Sequence, residues 1–201
     1  MIMAFDGSSI DGSLYADVVG EAQRAPGWLD DTVSLWSTYG LALFAVLMVA
    51  GWWRARRTGA ADAVTALAVP VVVIVAYGVD MAVKLVVRED RPCQSLHART
   101  LEACPAPGDW SFPSNHTALA VAAAVALVFV SRRLGAVAVV AAAAMGASRV
   151  WVGAHYPHDV MAGAVVGALV ALTAMLVLRH RSETVARRLT GRRLGALLLA
   201  A

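Results

Sequence analysis

Apolar residues lie along this chain in long unbroken runs, not at the period of two or 3.6 that marks half-buried strands or surface helices. Five runs stand out: Leu35 to Trp53, Ala61 to Val87, Ser114 to Val130, Gly135 to Gly153 and Val160 to Leu178. A helix needs about 20 residues to cross about 30 Å of hydrocarbon, so each run predicts a spanning helix. Ahead of them, Ser13 to Trp28 places Leu14, Val18, Val19 and Ala22 on one helical face, with Asp17, Glu21 and Arg24 elsewhere. This predicts an amphipathic helix, interfacial or a sixth member of the bundle, ended by Pro26-Gly27. Behind them, Arg179 to Ala201 carries six arginines and reads as a basic segment against an anionic leaflet. The pattern describes an all-α polytopic membrane bundle in one domain, 1–201, with residues 13–28 as the leading helix, 35–178 as the transmembrane core and 179–201 as the tail. The N-terminus has no basic region ahead of an apolar run, so a cleavable signal peptide is not expected.

Composition strengthens this picture. Hydrophobic residues make up 59% and charged residues 15% of the chain, against roughly 45–50% and 25% in soluble domains. Disordered, collagenous and small disulfide-scaffold classes are excluded. A nucleic-acid module would need its basic residues in one stripe, and here they are scattered between apolar runs. The net charge of +3 becomes informative only when sorted by side. With the N-terminus outside, Arg54, Arg56, Arg57, Arg132, Arg133, Arg179, Arg181, Arg187, Arg188, Arg192 and Arg193 fall inside, while of the acids only Asp62 and Glu183 do. The positive-inside rule favours this orientation, and it puts the loops Arg88 to Pro113 and Ala154 to Asp159 on the extracytoplasmic face.

Those loops hold three clusters of polar residues, which at membrane depth cost about 2.5–3.5 kcal/mol each and ask for a reason. The first is Lys84-Leu-Val-Val-Arg88-Glu89-Asp90-Arg91-Pro92. Lys84 and Arg91 offer a point charge and a planar fork, a combination suited to phosphate. The plainer reading is a snorkelling lysine at a positive helix end, or an ion pair with Asp80 one turn earlier. The second is Ser111-Phe112-Pro113-Ser114-Asn115-His116-Thr117 at the start of the third span. A helix N-terminus there, with Ser114 as its cap, is a ready anion site, and His116 can exchange a proton near neutral pH; equally, Ser114 is simply a good cap and His116 a polar neighbour. The third is Ser148-Arg149-Val-Trp-Val-Gly-Ala-His155-Tyr-Pro-His158-Asp159. Arg149 in an apolar helix calls for an anionic partner. His155 and Asp159 are four apart, so the carboxylate can hold one ring nitrogen and leave the other as nucleophile or base. Asp159 also suits the cap of the fifth span, while His158 and His97 read as solvated loop residues.

These residues resemble the three-part signature KxxxxxxRP, PSGH and SRxxxxxHxxxD of the type 2 phosphatidic acid phosphatase superfamily, in order, side and spacing. The wording Phe-Pro-Ser-Asn-His-Thr and His-Tyr-Pro-His-Asp-Val extends the resemblance to bacterial undecaprenyl-diphosphate phosphatases of the bacitracin-resistance type, over roughly residues 13 to 178. The resemblance implies a hydrolase of the bacterial cytoplasmic membrane that removes the terminal phosphate of a polyprenyl diphosphate and so recycles the carrier lipid for cell-wall synthesis. By the same resemblance, His155 attacks phosphorus to give a phosphohistidine, Asp159 orients it, and His116 protonates the leaving oxygen and then activates water. Lys84, Arg91, Ser114, Asn115 and Arg149 would bind the phosphate. Asn115 departs from the pattern, standing where the family has glycine. Side-chain cations supply the positive charge, so neither metal nor cofactor is expected, and no carboxylate cluster suits magnesium. Cys93 and Cys104 share the extracytoplasmic loop, where disulfides persist, and a bridge closing that loop is expected, with two free thiols as the alternative. The expected partners are the bilayer and a lipid with a phosphate or diphosphate head; nothing in the pattern specifies an oligomer. Phosphatidic acid, phosphatidylglycerol phosphate and a polyprenyl-linked sugar phosphate stay open as substrates. A non-catalytic lipid-phosphate carrier or transporter is the reading from another class, disfavoured by the paired histidines.

Overall fold

The computed structural model describes residues 5–190. Its helices are α1 (Ser8–Arg24), α2 (Gly27–Tyr39), α3 (Leu41–Ala55), α4 (Ala60–Val87), the single turn α5 (Pro92–Ser95), α6 (Asn115–Val130), α7 (Arg132–Trp151), α8 (Pro157–Arg179) and α9 (Ser182–Thr190). Among the described residues three helices, α4, α7 and α8, are long and apolar enough to cross a membrane, and a fourth span results if the bent pair α2 and α3 is taken as one. The protein is therefore a multi-pass membrane helix bundle.

Two expected boundaries move. The first expected span, Leu35 to Trp53, is not one straight helix: α2 and α3 meet at Gly40 with a bend of 52°. A Cβ at Gly40 would lie 2.5 Å from the Trp36 carbonyl oxygen and 2.8 Å from the Met145 methyl, so the bend seats bare backbone on α7. The run Ser114 to Val130 forms a helix of 16 residues, roughly 24 Å long at 1.5 Å per residue and short for a span.

The bundle is arranged around α6, whose Ala118, Ala120, Ala122, Ala123, Ala124 and Ala126 are all buried. Apolar lipid tails give helices no hydrophobic reason to associate, so small residues that admit close backbone approach line such interfaces. On α8, Gly163 and Gly167 stand four apart: a Cβ at Gly163 would lie 2.5 Å from the Ser114 carbonyl oxygen, and one at Gly167 would lie 2.3 Å from that of Ala118. Large apolar side chains point outward instead, among them Ile74 and Val86 on α4, Val140 on α7 and Met161 and Leu169 on α8. This is the arrangement a hydrocarbon solvent favours.

The leading helix starts earlier than expected, at Ser8, and ends at Arg24, leaving Trp28 to α2. Its buried stripe is Gly12, Tyr15, Val19 and Ala22, with Leu14 turned outward. Tyr15 explains the rotation: its ring packs on Tyr156 and its hydroxyl donates to the Gly153 carbonyl at 3.0 Å. The helix is thus docked over one end of the bundle. At the other end α9 packs on α4 through Ala186, which is buried against Ala63 and Val64. The remainder of the basic tail, 191–201, lies outside the described residues.

Candidate active site

The C-terminal ends of α4 and α7 and the N-terminal ends of α6 and α8 meet beneath the loop joining α4 to α6. Lys84 lies on the buried face of α4 with Ala76 and Asp80. Its ammonium donates to the carbonyls of Trp110 at 2.8 Å and Ser111 at 2.9 Å. The Asp80 ion pair considered from spacing does not form: both Asp80 carboxylate oxygens are buried without a hydrogen-bond partner. Lys84 has turned to the loop carbonyls instead, anchoring the segment that carries Ser111.

His155 follows the end of α7 and is 2% exposed. Its Nδ1 lies 3.3 Å from Asp159 Oδ2 and 3.4 Å from Ser111 Oγ. The opposite nitrogen, Nε2, is 3.4 Å from Arg91 Nη1. Asp159 is fixed in turn: Oδ2 accepts from Ser111 Oγ at 2.5 Å and from the Tyr156 N–H at 2.9 Å. Asp159 is not itself the cap of α8, a position taken by Tyr156; from the third position of the helix its carboxylate reaches back to the Tyr156 N–H. One residue therefore both secures the helix start and orients the histidine. Burial pushes the His155 imidazole below its ordinary value of 6.5, helped by the charges of Arg91 and Arg149, while Asp159 pulls the other way.

Both remaining cations are paired with carboxylates of the α4–α6 loop. Arg91 donates through Nη2 to Asp109 Oδ1 at 2.9 Å, through Nε to the Asp109 carbonyl at 3.0 Å and through Nη1 to the Ala154 carbonyl at 3.0 Å. Arg149 forks onto Glu102, Nη1 to Oε1 at 2.8 Å and Nη2 to Oε2 at 3.1 Å, and also donates to the Ser37 hydroxyl of α2. A disulfide joins Cys93 to Cys104, Cα to Cα 5.9 Å, and holds this loop. Below it lies a cavity of about 220 Å³ bordered by Arg91, Arg149, His116, Glu102, Asp109 and Ala154, among others. Two wider cavities, of about 470 and 480 Å³, open at the opposite end around Asp62 and hold none of these residues.

Ser114 takes the cap position of α6 with an extended backbone, but its hydroxyl caps no helix N–H. That oxygen accepts from Thr117 Oγ1 at 3.2 Å, and the Ser114 N–H donates to the Asp159 carbonyl at 3.0 Å. The first-turn amides of α6 are thus not used by the cap. Asn115 has a helical backbone: among the described residues only Arg88 and His97 combine a side chain with positive φ. The site therefore does not need glycine's left-handed freedom here, and the Asn115 amide points to Met81 Sδ at 3.3 Å. His116 borders the cavity.

His158 is not a solvated loop residue. It is the second residue of α8; its N–H and Nδ1 each lie 2.7 Å from the Asp11 carboxylate, and its Nε2 is 2.9 Å from Glu89 Oε1. The buried Glu89 and the half-buried Asp11 hold the ring inward, and it stacks on Tyr156. His97 is exposed, as its loop position suggests. Glu89, His158 and Asp159 bring ligand atoms within 4.8 Å of one another, close enough for a metal, yet His158 already spends both nitrogens on Asp11 and Glu89. Sequence reading did not select Ser37, Glu102, Asp109 or Asp11, and left Ser111 without a role. Arg149 was itself the signal for Glu102, since a buried guanidinium demands a carboxylate somewhere.

A membrane bundle that gathers lysine, arginine and a carboxylate-held histidine at one end defines a class. Residues 65–183 match the PAP2 superfamily, and the chain belongs to that family and is a phosphatase of its class. Among its relatives, the undecaprenyl-diphosphatase BcrC of Bacillus subtilis is 31% identical over 71% of each chain. The bacitracin transport permease protein BcrC of Bacillus licheniformis is 45% identical over 32% of each chain. An undecaprenyl-diphosphatase of Sulfolobus acidocaldarius is 32% identical over 36% of each. No solved structure matches the chain.

Proposed function

We propose that this phosphatase hydrolyses the terminal phosphate of a polyprenyl diphosphate of undecaprenyl type, at the extracytoplasmic face, through a phosphohistidine at His155. The observation that carries the reading is the orientation of that ring, with Nδ1 on Asp159 and Nε2 turned toward Arg91. With its proton on Nδ1, held by Asp159, the ring presents the Nε2 lone pair to phosphorus. The N–P bond forms as the bond from phosphorus to the bridging oxygen breaks, and His116 protonates that oxygen as the lipid monophosphate leaves. Water then attacks the phosphohistidine, giving its proton to His116, and inorganic phosphate departs with His155 restored.

Lys84, Arg91, Arg149 and the first-turn amides of α6 surround the phosphoryl oxygens as charge develops on them, which is where fixed donors lower a barrier. Burial keeps His155 neutral, the form a nucleophile requires. The arginines at the opposite end, read with the positive-inside rule, support the extracytoplasmic side. A site at the membrane boundary lets the lipid tail stay in hydrocarbon while the head group reaches the cations. The names of the relatives favour an undecaprenyl diphosphate over other lipid phosphates. The test is a panel at equal concentration in detergent micelles. Undecaprenyl diphosphate should show a kcat/KM at least about tenfold above phosphatidic acid and phosphatidylglycerol phosphate, the scale of one lost polar contact. A preference for either phospholipid would reassign the substrate.

A further inference from the structure

We infer that Glu102 is an internal ligand of the phosphate site: its carboxylate fills the position of an incoming phosphoryl group on Arg149, and each phosphate must displace it. The inference rests on the reading of Arg149 as a phosphate ligand and adds a residue with a role of its own.

The geometry is that of an anion in a built site. Arg149 is 6% exposed and presents both terminal nitrogens to the two Glu102 oxygens at 2.8 and 3.1 Å. This is the two-point fork that guanidinium offers to carboxylate and phosphate alike. Ser37 Oγ donates to Glu102 Oε1 at 2.7 Å. Glu102 also borders the cavity that His116, Arg91 and Arg149 share. A phosphate that takes both arms of Arg149 cannot do so while Glu102 holds them.

The loop is constructed to deliver the carboxylate and take it back. The Glu102 N–H donates to the Val152 carbonyl at 3.2 Å, and its own carbonyl accepts from Thr100 Oγ1 at 2.6 Å. Cys104, two residues on, is tied to Cys93. The Glu102 side chain, however, is 30% exposed where Arg149's is 7%, so the carboxylate can swing to water while the guanidinium stays. A buried arginine without an anion is costly. Glu102 removes that cost between turnovers and competes with the inorganic phosphate product for the same fork.

The test measures binding of inorganic phosphate to the purified full-length protein, by 31P line broadening and by phosphate-induced shift of the unfolding midpoint. Glu102→Gln keeps the side chain's shape and hydrogen-bond capacity and removes its charge. It should bind phosphate about tenfold more tightly than wild type, a modest share of the interaction between unit charges about 4 Å apart. Glu102→Asp, which retains the charge, should stay near the wild-type affinity. Ser37→Ala, which removes one hydrogen bond from Glu102 and one from Arg149 and leaves both charges in place, should shift affinity in the same direction as Glu102→Gln but less, and serves if that variant does not fold. Equal or weaker phosphate binding by Glu102→Gln, or no binding by either form, overturns the inference. Because the readout is phosphate affinity, it is independent of turnover: absence of lipid hydrolysis would count against the functional reading and leave this result standing.

Discussion

His155 owes its proposed role to three neighbours at once. Asp159 and Ser111 hold one nitrogen, Arg91 faces the other, and burial holds the ring neutral. The same burial ties stability to pH. In the unfolded chain this imidazole protonates around its ordinary value of 6.5, whereas in the folded protein it resists protonation below that. Its contribution is therefore complete above pH 6.5 and is lost as the pH falls below it. Thermal unfolding in detergent should show a midpoint that falls more steeply with acidification in wild type than in His155→Gln. Parallel slopes would contradict the buried neutral ring. Residues such as Arg149 and the pair His155 and Asp159 were legible in the sequence because charge in an apolar run is costly and four-residue spacing is local. Ser37 and Glu102 were not, since they reach Arg149 from 112 and 47 positions away, and only the fold brings them there.

Among the elements, α4, α7 and α8 could be read from run length to within a few residues, because hydrocarbon imposes a length on whatever crosses it. The bend at Gly40 could not, because that residue keeps a helical backbone, with φ −59° and ψ −25°; the reason for the glycine is the neighbouring α7. The leading helix was legible as amphipathic, but its buried stripe depends on Tyr15 reaching Gly153, a tertiary contact. The interface between α6 and α8 bears on the candidate site most directly, since Gly163 abuts the carbonyl of Ser114, the cap residue of α6. Gly163→Val should therefore push α6 from α8, lowering stability by about 1–3 kcal/mol. It should reduce kcat more than a substitution of Gly78, which faces open space. Thermal unfolding and lipid phosphate release, measured on the same preparations, check both effects. Unchanged activity in Gly163→Val would show that this contact does not position the site.

At the scale of the whole molecule, alanines fill much of the interface around α6, many large apolar residues face outward, and the cluster of buried histidine, carboxylates and cations lies at one end. Arginines mark the other end, with Arg54, Arg56 and Arg57 at the α3–α4 turn and Arg132 and Arg133 at the start of α7. The small net charge of +3 hid this separation. Under the proposed function, this separation leaves the tail of a lipid substrate in hydrocarbon while its phosphate meets fixed cations. The central claim is that phosphate leaves through His155 with side chains alone supplying the positive charge. Its most direct measurement is the rate of phosphate release from undecaprenyl diphosphate by purified protein with EDTA present, for wild type and His155→Ala. Wild-type turnover should survive chelation, and the variant should fall by about 10³-fold or more, the scale of losing a nucleophile that acts with its partners as a unit. Turnover by His155→Ala within about tenfold of wild type, or loss of wild-type turnover on chelation, would contradict it.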